Sequence, residues 1–490
     1  MNYSNSSNTV QIAWLGIGSL FSFSFSIISA AILSRYLSKT DYGTYKQVLY
    51  VYSTLLMIFS LGLPKAYSYF LARMSIEEGL TIVRKLNVML VCMGLIFTLV
   101  LYCLSSIFAD ALNNPDLKDC LRLFSITPLF LLPLLGIEGI MVTYKKATIY
   151  TAYAILSRLF TLLCVVLPVI WFNASVFTAV SGFVFASSLS CVTGLYIERH
   201  LFRNIQKKST KIRIHDLLKF SIPLSVASLW GIMIKSANQF FISRYWGNEV
   251  FAEFSNGFIE LPIAQIVINA ASTVLLPVFS KKAYEESGPS AIITLWKSVA
   301  IKSAKIIFPL TFFSFFFAEP IMIFIYGNQY EDSAVYFRII AVVNLIRIVP
   351  YAPVMLALGR SKEFANIHMI TAFLIVIMEY LCVRIFPSPH IIALISILCT
   401  IFCIGMLLRS ICKYMNISAI TLIPHKSLIS LILLSSVASV ISKVASSFFP
   451  EASVVQILII AFTVFSTAYF FFCKLASVLY SHILDYRIRK

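Results

Sequence analysis

Arg35, Lys46, Lys65, Arg158, Lys235, Arg244 and Arg347 stand inside or at the rims of long apolar runs, and so do Glu138, Glu253, Glu260 and Glu379. A charge at the centre of a hydrocarbon core costs about 2.5–3.5 kcal/mol on insertion scales, so each of these side chains needs a wet cavity, a partner or an interface. The cations outnumber the acids. Such a set suits the holding of an anionic group, because Arg and Lys offer charge-assisted hydrogen bonds to phosphate or carboxylate oxygens. The acids suit a coupling ion, and Glu138, Glu260 and Glu379 could each bind H⁺ or Na⁺. Near the ends of runs a second reading stays open, in which Arg35, Lys46 and Arg244 snorkel to headgroups. Lys235 and Arg347 sit deeper, where snorkelling is harder.

Helical spacing groups some of these residues into faces. Ser225, Ser228, Lys235 and Gln239 fall within roughly 80° of one another on a helical wheel, a polar face carrying a cation. Glu253, Asn256 and Glu260 are expected along another face, with Pro262 just beyond to kink the helix. His368, Thr371 and Glu379 form a third. Cavity lining and hydrogen bonding that holds helices together both account for such stripes. The six histidines and ten cysteines show no HxxxH or CxxC arrangement, so neither a metal nor a cofactor is expected.

These residues must be positioned by a membrane protein. The chain is 59% hydrophobic and 12% charged, with a mean hydropathy of +0.88, more apolar surface than one soluble core could hide. Apolar stretches of about 20–28 residues recur throughout, long enough to cross a bilayer as helices. About fourteen are counted, centred near Ser22, Thr54, Met93, Leu132, Leu159, Val184, Ser228, Ile266, Phe312, Leu345, Val376, Thr400, Leu434 and Phe462. Strands are disfavoured, since barrel segments alternate polar and apolar residues. The fold expected is an all-α polytopic membrane protein. Its first span is too long for a signal peptide and is expected to be retained.

With the N-terminus in the cytoplasm, inner loops and tail carry roughly 23 Lys and Arg against about 4 outside, the positive-inside pattern. Both termini are then cytoplasmic, as is the basic stretch Glu198 to Lys219. Most of the net charge of +18 follows from this topology and from attraction to anionic membrane lipids. A nucleic-acid partner is disfavoured because the basic residues are dispersed over short loops. Nor is an enzyme expected, since the longest outer loop, Ala109 to Cys120, is too small to fold alone.

The chain also repeats itself. Ile32-Leu33-Ser34-Arg35-Tyr36 returns as Phe241-Ile242-Ser243-Arg244-Tyr245, 209 positions later, and the copies run on to Leu63-Pro64 and Leu276-Pro277. Leu121-Arg122-Leu123-Phe124 matches Phe337-Arg338-Ile339-Ile340, and Lys146 falls opposite Lys362. A duplication of about six helices is implied, with Arg35 and Arg244 expected on opposite lobes. Residues 1–200 form the first lobe, 201–220 a basic linker, 221–415 the second lobe and 416–490 two further helices and a tail.

Four segments carry a family resemblance: LSRYLSKTDYGTYKQ, GLPKAYSYFLAR, FSIPLSVASLWGIMIKSANQFFISRY and FIYGNQYEDSAVYFRIIAV, with the turn Leu358 to Phe364. Together they resemble Wzx-type polysaccharide flippases, the O-antigen and capsule transporters of the multidrug/oligosaccharidyl-lipid/polysaccharide exporter superfamily. The resemblance implies a V-shaped pair of six-helix lobes plus two C-terminal helices in a bacterial inner membrane. It implies transfer of an undecaprenyl-diphosphate-linked oligosaccharide between leaflets, and association with a polysaccharide polymerase and a chain-length regulator. The cationic set would then hold the diphosphate. A lipid II flippase and a multidrug exporter of the same superfamily remain as alternatives, and a polymerase is the enzyme-class rival.

Overall fold

The computed structural model describes residues 8–172, 174–284 and 288–488, and every element among them is helical. By their contacts the residues gather into two compact units, Met1–Ala252 and Glu253–Lys490.

The first unit opens with α1 (Asn8–Tyr36) and α2 (Lys39–Phe59). Ser38 separates them, its hydroxyl accepting from the amide of Asp41 to cap α2. α2 ends where Leu61 and Gly62 enter the left-handed region, and α3 (Leu63–Leu71) leaves at a bend of 45°. A Cβ on Gly62 would also lie 2.9 Å from the carbonyl oxygen of Ser221, so the turn needs glycine twice over. α4 (Ile76–Cys103) is capped by Ser75 and carries Glu77 and Glu78 in its first turn, where the helix dipole favours acids. Short helices α5 (Ser105–Ala111), α6 (Asp116–Phe124), α7 (Thr127–Leu131) and α8 (Ile137–Thr143) follow. A 3₁₀ turn over Leu132–Gly136, with Pro133 near its start, joins the last two. α9 (Ala147–Trp171) packs along α1, and α10 (Val176–Leu201) along α9.

The basic linker is held against α4. Thr81 Oγ1 donates to the carbonyl of Lys208 at 2.7 Å, and Lys85 Nζ to that of Ile212 at 2.6 Å. α11 (Ile214–Gly257) then crosses the unit, bent by 50° near Pro223 and broken again at Gly247, whose φ is 79°. The boundary between the two compact units falls inside this helix.

The second unit contains α12 (Pro262–Tyr284), α13 (Gly288–Phe316), α14 (Ala318–Tyr326), α15 (Ser333–Asn344), α16 (Ala352–Ala357), α17 (Ser361–Ile385) and α18 (Pro389–Met415). After the single turn α19 (Ala419–Leu422), α20 (His425–Ser447) packs on both α13 and α21 (Val454–Ile488). Phe279, Trp296, Phe308, Met355 and Ile411 are buried together at the centre of its core.

Ten helices among the described residues are long and apolar enough to span a membrane, and twelve if each bent pair, α2–α3 and the halves of α11, is one span. The count of fourteen is therefore not reached among the described residues. Near Leu345 the chain forms the short α15 and α16 in place of one long helix, while near Ile266 α12 runs over 23 residues.

The duplication is visible in the backbone. Ser38 breaks the first copy and Gly247 the second, again 209 positions apart. Further along, Lys146 and Arg360 occupy matching helix starts before α9 and α17. Each follows a residue with positive φ, Lys145 at 55° and Gly359 at 70°. Each also donates its amide to the carbonyl five positions back, Met141 at 2.7 Å and Met355 at 2.9 Å. Arg360, not Lys362, is thus the counterpart of Lys146. The side chains of Leu276 and Pro277, where the second copy was expected to end, lie outside the described residues.

Candidate functional site

Four of the cations singled out by the sequence stand on the inner stretches of helices in the first unit. Lys46 is half-buried in the middle of α2, with its Nζ 5.2 Å from the centroid of the Tyr42 ring. Lys65 on α3, Arg158 at mid-α9 and Lys235 on α11 are exposed. Among the described residues none of these four has a carboxylate within ion-pair distance. The Arg158 guanidinium acts electrostatically on Tyr45 and Tyr52 of α2 and on Tyr150 and Tyr153 of its own helix. One cation thereby acts on four phenols, of which Tyr45 and Tyr52 are buried and Tyr150 and Tyr153 are partly exposed. Glu138 is close by, accepting from the Tyr150 hydroxyl at 3.0 Å. A mid-helix arginine facing lipid would be costly, so this wall suits a water-filled space. Phosphate oxygens could be taken by the cations and sugar rings by the partly exposed Tyr150 and Tyr153.

The polar face expected on α11 is shorter than the wheel suggested. Ser225 lies in the bend after Pro223 and is buried, which leaves Ser228, Lys235 and Gln239 on the straight stretch. Gln239 donates back to the Lys235 carbonyl at 3.4 Å.

Where the two sequence copies meet, the first unit is closed by a dense polar clasp. Thr40 Oγ1 donates to Glu249 Oε1 at 2.7 Å, and Asn248 Nδ2 donates to the Thr40 carbonyl and to Thr44 Oγ1, both at 3.2 Å. Gln47 Nε2 donates to Ser243 Oγ at 2.7 Å, while Asn114 Nδ2 reaches both Thr44 and Gln47. Gly43 makes this approach feasible, because a Cβ there would sit 2.0 Å from the carbonyl oxygen of Asn248. Arg244 belongs to the clasp: its Nη1 donates to the carbonyls of Asp110 and Ala111, each at 2.9 Å, at the C-terminal end of α5. Arg35, exposed in the last turn of α1, lies in the same compact unit. Arg35 and Arg244 thus fall in one compact unit by their contacts, where the clasp holds this part of α11 against α2.

In the second unit Arg347 Nη1 bonds Glu260 Oε1 at 2.6 Å, and Gln265 Nε2 supports the other oxygen at 3.2 Å. The Arg347 charge reaches Tyr351 and His368, and the Tyr351 ring lies tilted against Trp296, with centroids 5.5 Å apart. Arg347 is therefore compensated, unlike the four cations above. Glu253, Asn256 and Glu260 do not share a helix face. α11 ends at Gly257 and Pro262 opens α12, so Glu253 and Asn256 are buried at the end of one helix and Glu260 lies in the connection. Glu253 faces Tyr336 of α15. Glu379 on α17 is fully buried, and neither of its oxygens has a hydrogen-bond partner.

Two groups of residues escaped the sequence reading. Asn114 and Asn248 looked like ordinary loop residues, and the repeat spacing pointed only at the second. Glu198 was read as the start of the basic stretch that runs to Lys219, but α10 continues to Leu201 and Glu198 is only 8% exposed. The small residues Ser190 and Gly194, eight and four positions before it, were the available signal for a buried face.

A family model described as polysaccharide biosynthesis protein matches residues 9–283 of this chain. The succinoglycan biosynthesis transport protein ExoT of Rhizobium meliloti (strain 1021) is 24% identical over 332 residues, 66% of this chain. That match spans 63% of the relative's own length, less than two thirds. Among solved structures, lipid II flippase MurJ in an inward closed conformation superposes with a TM-score of 0.71 at 13% identity, covering 96% of this chain and 99% of that one. An inward-facing multidrug resistance transporter of the MATE family gives 0.65 at 13% identity, covering 82% and 99%. At such identities the structural likeness speaks to the fold.

Proposed function

The chain belongs to the polysaccharide biosynthesis protein family, and from that premise we propose that it moves an undecaprenyl-diphosphate-linked oligosaccharide from the cytoplasmic to the outer leaflet of a bacterial inner membrane. The product would feed O-antigen or another surface polysaccharide. The observation that carries this reading is the set of four cations on membrane-spanning helices, Lys46, Lys65, Arg158 and Lys235, with no carboxylate within ion-pair distance among the described residues. A diphosphate supplies the missing negative charge, and charge-assisted bonds to Arg and Lys hold it in a low-dielectric setting. The partly exposed Tyr150 and Tyr153 give faces for sugar rings, while the polyprenyl tail stays in lipid.

Alternating access requires a barrier on one side of the bound substrate. The clasp of Thr40, Asn248, Glu249, Gln47 and Ser243 is suited to be the outer barrier, opening once the diphosphate has been received. Of the three acids that could take a coupling H⁺ or Na⁺, Glu138 and Glu260 are engaged by Tyr150 and Arg347. Glu379 is the buried one without a donor, so it is the best placed of the three. Both termini and the basic linker would face the cytoplasm, and a polysaccharide polymerase and chain-length regulator would act on the product.

Deleting the gene tests this proposal: surface polysaccharide should be lost while a lipid-linked repeat unit accumulates, and the intact gene should restore export where an Arg158→Gln copy does not. Accumulation of a soluble precursor would overturn it. A lipid II substrate is the second reading, favoured by the full-length superposition on MurJ. Rescue of a strain depleted of its lipid II flippase would select that reading.

A further inference from the structure

Behind the tyrosine wall, at the far end of α10, a buried hydrogen-bond relay plays no part in the site so far described. Tyr67 of α3 donates its hydroxyl to Asn87 Oδ1 on α4, and Asn87 Nδ2 donates to Glu198 Oε1 at 2.7 Å. Tyr67 is fully buried, and the second Glu198 oxygen, Oε2, is buried with no hydrogen-bond partner. The titratable and charged groups facing Glu198 are few: Tyr67 from α3, and Arg199 beside it on α10. Leu134 and Ile137, from the 3₁₀ turn and α8, close over Gly194 one helical turn away.

A carboxylate in this place has one donor where it could accept several, and an unpaired buried charge costs several kcal/mol. A proton on Glu198 removes that cost. We propose that Glu198 is a proton-binding site whose occupancy is linked to the position of α3. Resting on the transport reading, this assignment makes H⁺ a driving ion for the first unit.

The link to motion is built into the packing. Gly136 lies against the Tyr67 ring so closely that a Cβ there would be 2.3 Å from Cζ, and Gly139 faces Ser68 in the same way. α3 is thus pressed on the part of the chain where Pro133 and the 3₁₀ turn interrupt a membrane span. When Glu198 loses its proton, the charge must find a second donor or water. Either demands that α3 or α10 shift, and α3 is already separated from α2 by the left-handed turn at Gly62. Asn87 transmits the change because both ends of its amide are committed, one to each partner.

Infrared titration of the purified full-length protein, in a background carrying Glu253→Gln and Glu379→Gln to remove the other buried acids among the described residues, tests the site directly. A carboxylic-acid band should bleach as pH rises, vanish in Glu198→Gln and shift in Tyr67→Phe. In proteoliposomes loaded with the lipid-linked repeat unit, otherwise wild-type protein should transport faster with an imposed proton gradient, by about fivefold or more. Glu198→Gln should lose that response at normal abundance, and Glu198→Asp should keep part of it. An unchanged infrared band in Glu198→Gln overturns the site, and an unchanged gradient response overturns the link to transport. Failure of the transport reading shows differently: wild-type protein would then move no lipid-linked sugar, with or without a gradient, while the band still reports on Glu198.

Discussion

Thr40 and Glu249 are hydrogen-bonded at 2.7 Å, and the 209 positions that separate them are the period of the sequence repeat. Each residue is therefore bonded to its own counterpart in the other copy. Such a contact arises where two related segments cross their pseudo-symmetry axis. Its neighbours Thr44, Gln47, Ser243 and Asn248 extend it into a patch with few spare hydrogen-bonding groups. A barrier of this kind opens by exchanging protein partners for water, at modest net cost per bond.

Gly43→Ala should hinder closure of the clasp, because its Cβ would meet the Asn248 carbonyl at 2.0 Å. Overpacking of this kind costs about 1–3 kcal/mol, which lowers the closed population about 5- to 150-fold. In a cysteine-free variant a thiol placed at Ser243 should become more reactive to an impermeant reagent when Gly43→Ala is added. Equal reactivity with and without the alanine would show that the patch is not a barrier.

Arg158→Gln should reduce export by about tenfold or more, and Arg158→Lys by less, since the charge is kept while the planar fork is lost. Surface polysaccharide at matched protein abundance is the measurement. Wild-type export from Arg158→Gln would remove this residue from substrate binding.

For the second unit, Glu260→Gln leaves Arg347 half-buried without its partner, and a loss of about 1–3 kcal/mol in stability is expected. The swap Glu260→Arg with Arg347→Glu should recover part of that loss in thermal unfolding. A swapped protein no more stable than Glu260→Gln would mean that the pair has little structural weight.

Glu379→Gln and Glu379→Leu should both accumulate normally. Replacing a buried ionisable group by a neutral one of similar size is commonly neutral or stabilising. Export should nevertheless fall in both if a coupling ion binds there. Normal export from Glu379→Leu would leave only a packing role.

Reporter fusions at Lys208 should indicate the cytoplasm, as the charge distribution over the loops requires. Periplasmic exposure of that position would reverse the sidedness given to the clasp.

Composition and spacing made the all-helical membrane fold legible, and the pentapeptide around Arg35 and Arg244 made the duplication legible. What the sequence could not convey is where apolar runs break. The run near Leu345 reads as one span, yet α15 ends at Asn344 and α16 does not begin until Ala352. The wheel that joined Glu253, Asn256 and Glu260 failed for the same reason, because periodicity presumes an uninterrupted helix. Arg347 and Glu260 were each visible as costly charges. Their pairing was not, because the two connecting segments that bring them together are 87 positions apart.

α11 begins the second copy of the repeat, yet its residues as far as Ala252 belong to the first compact unit. This has a consequence for how the protein is made. While residues 201–252 are still being translated, at about 5–20 per second, the helices already inserted hold Thr40, Thr44 and Gln47 with no Glu249, Asn248 or Ser243 to receive them. The nascent first unit must wait for the opening of the second copy before it can finish folding, so a ribosome stalled between the two copies would leave those polar groups unsatisfied and visible to quality control.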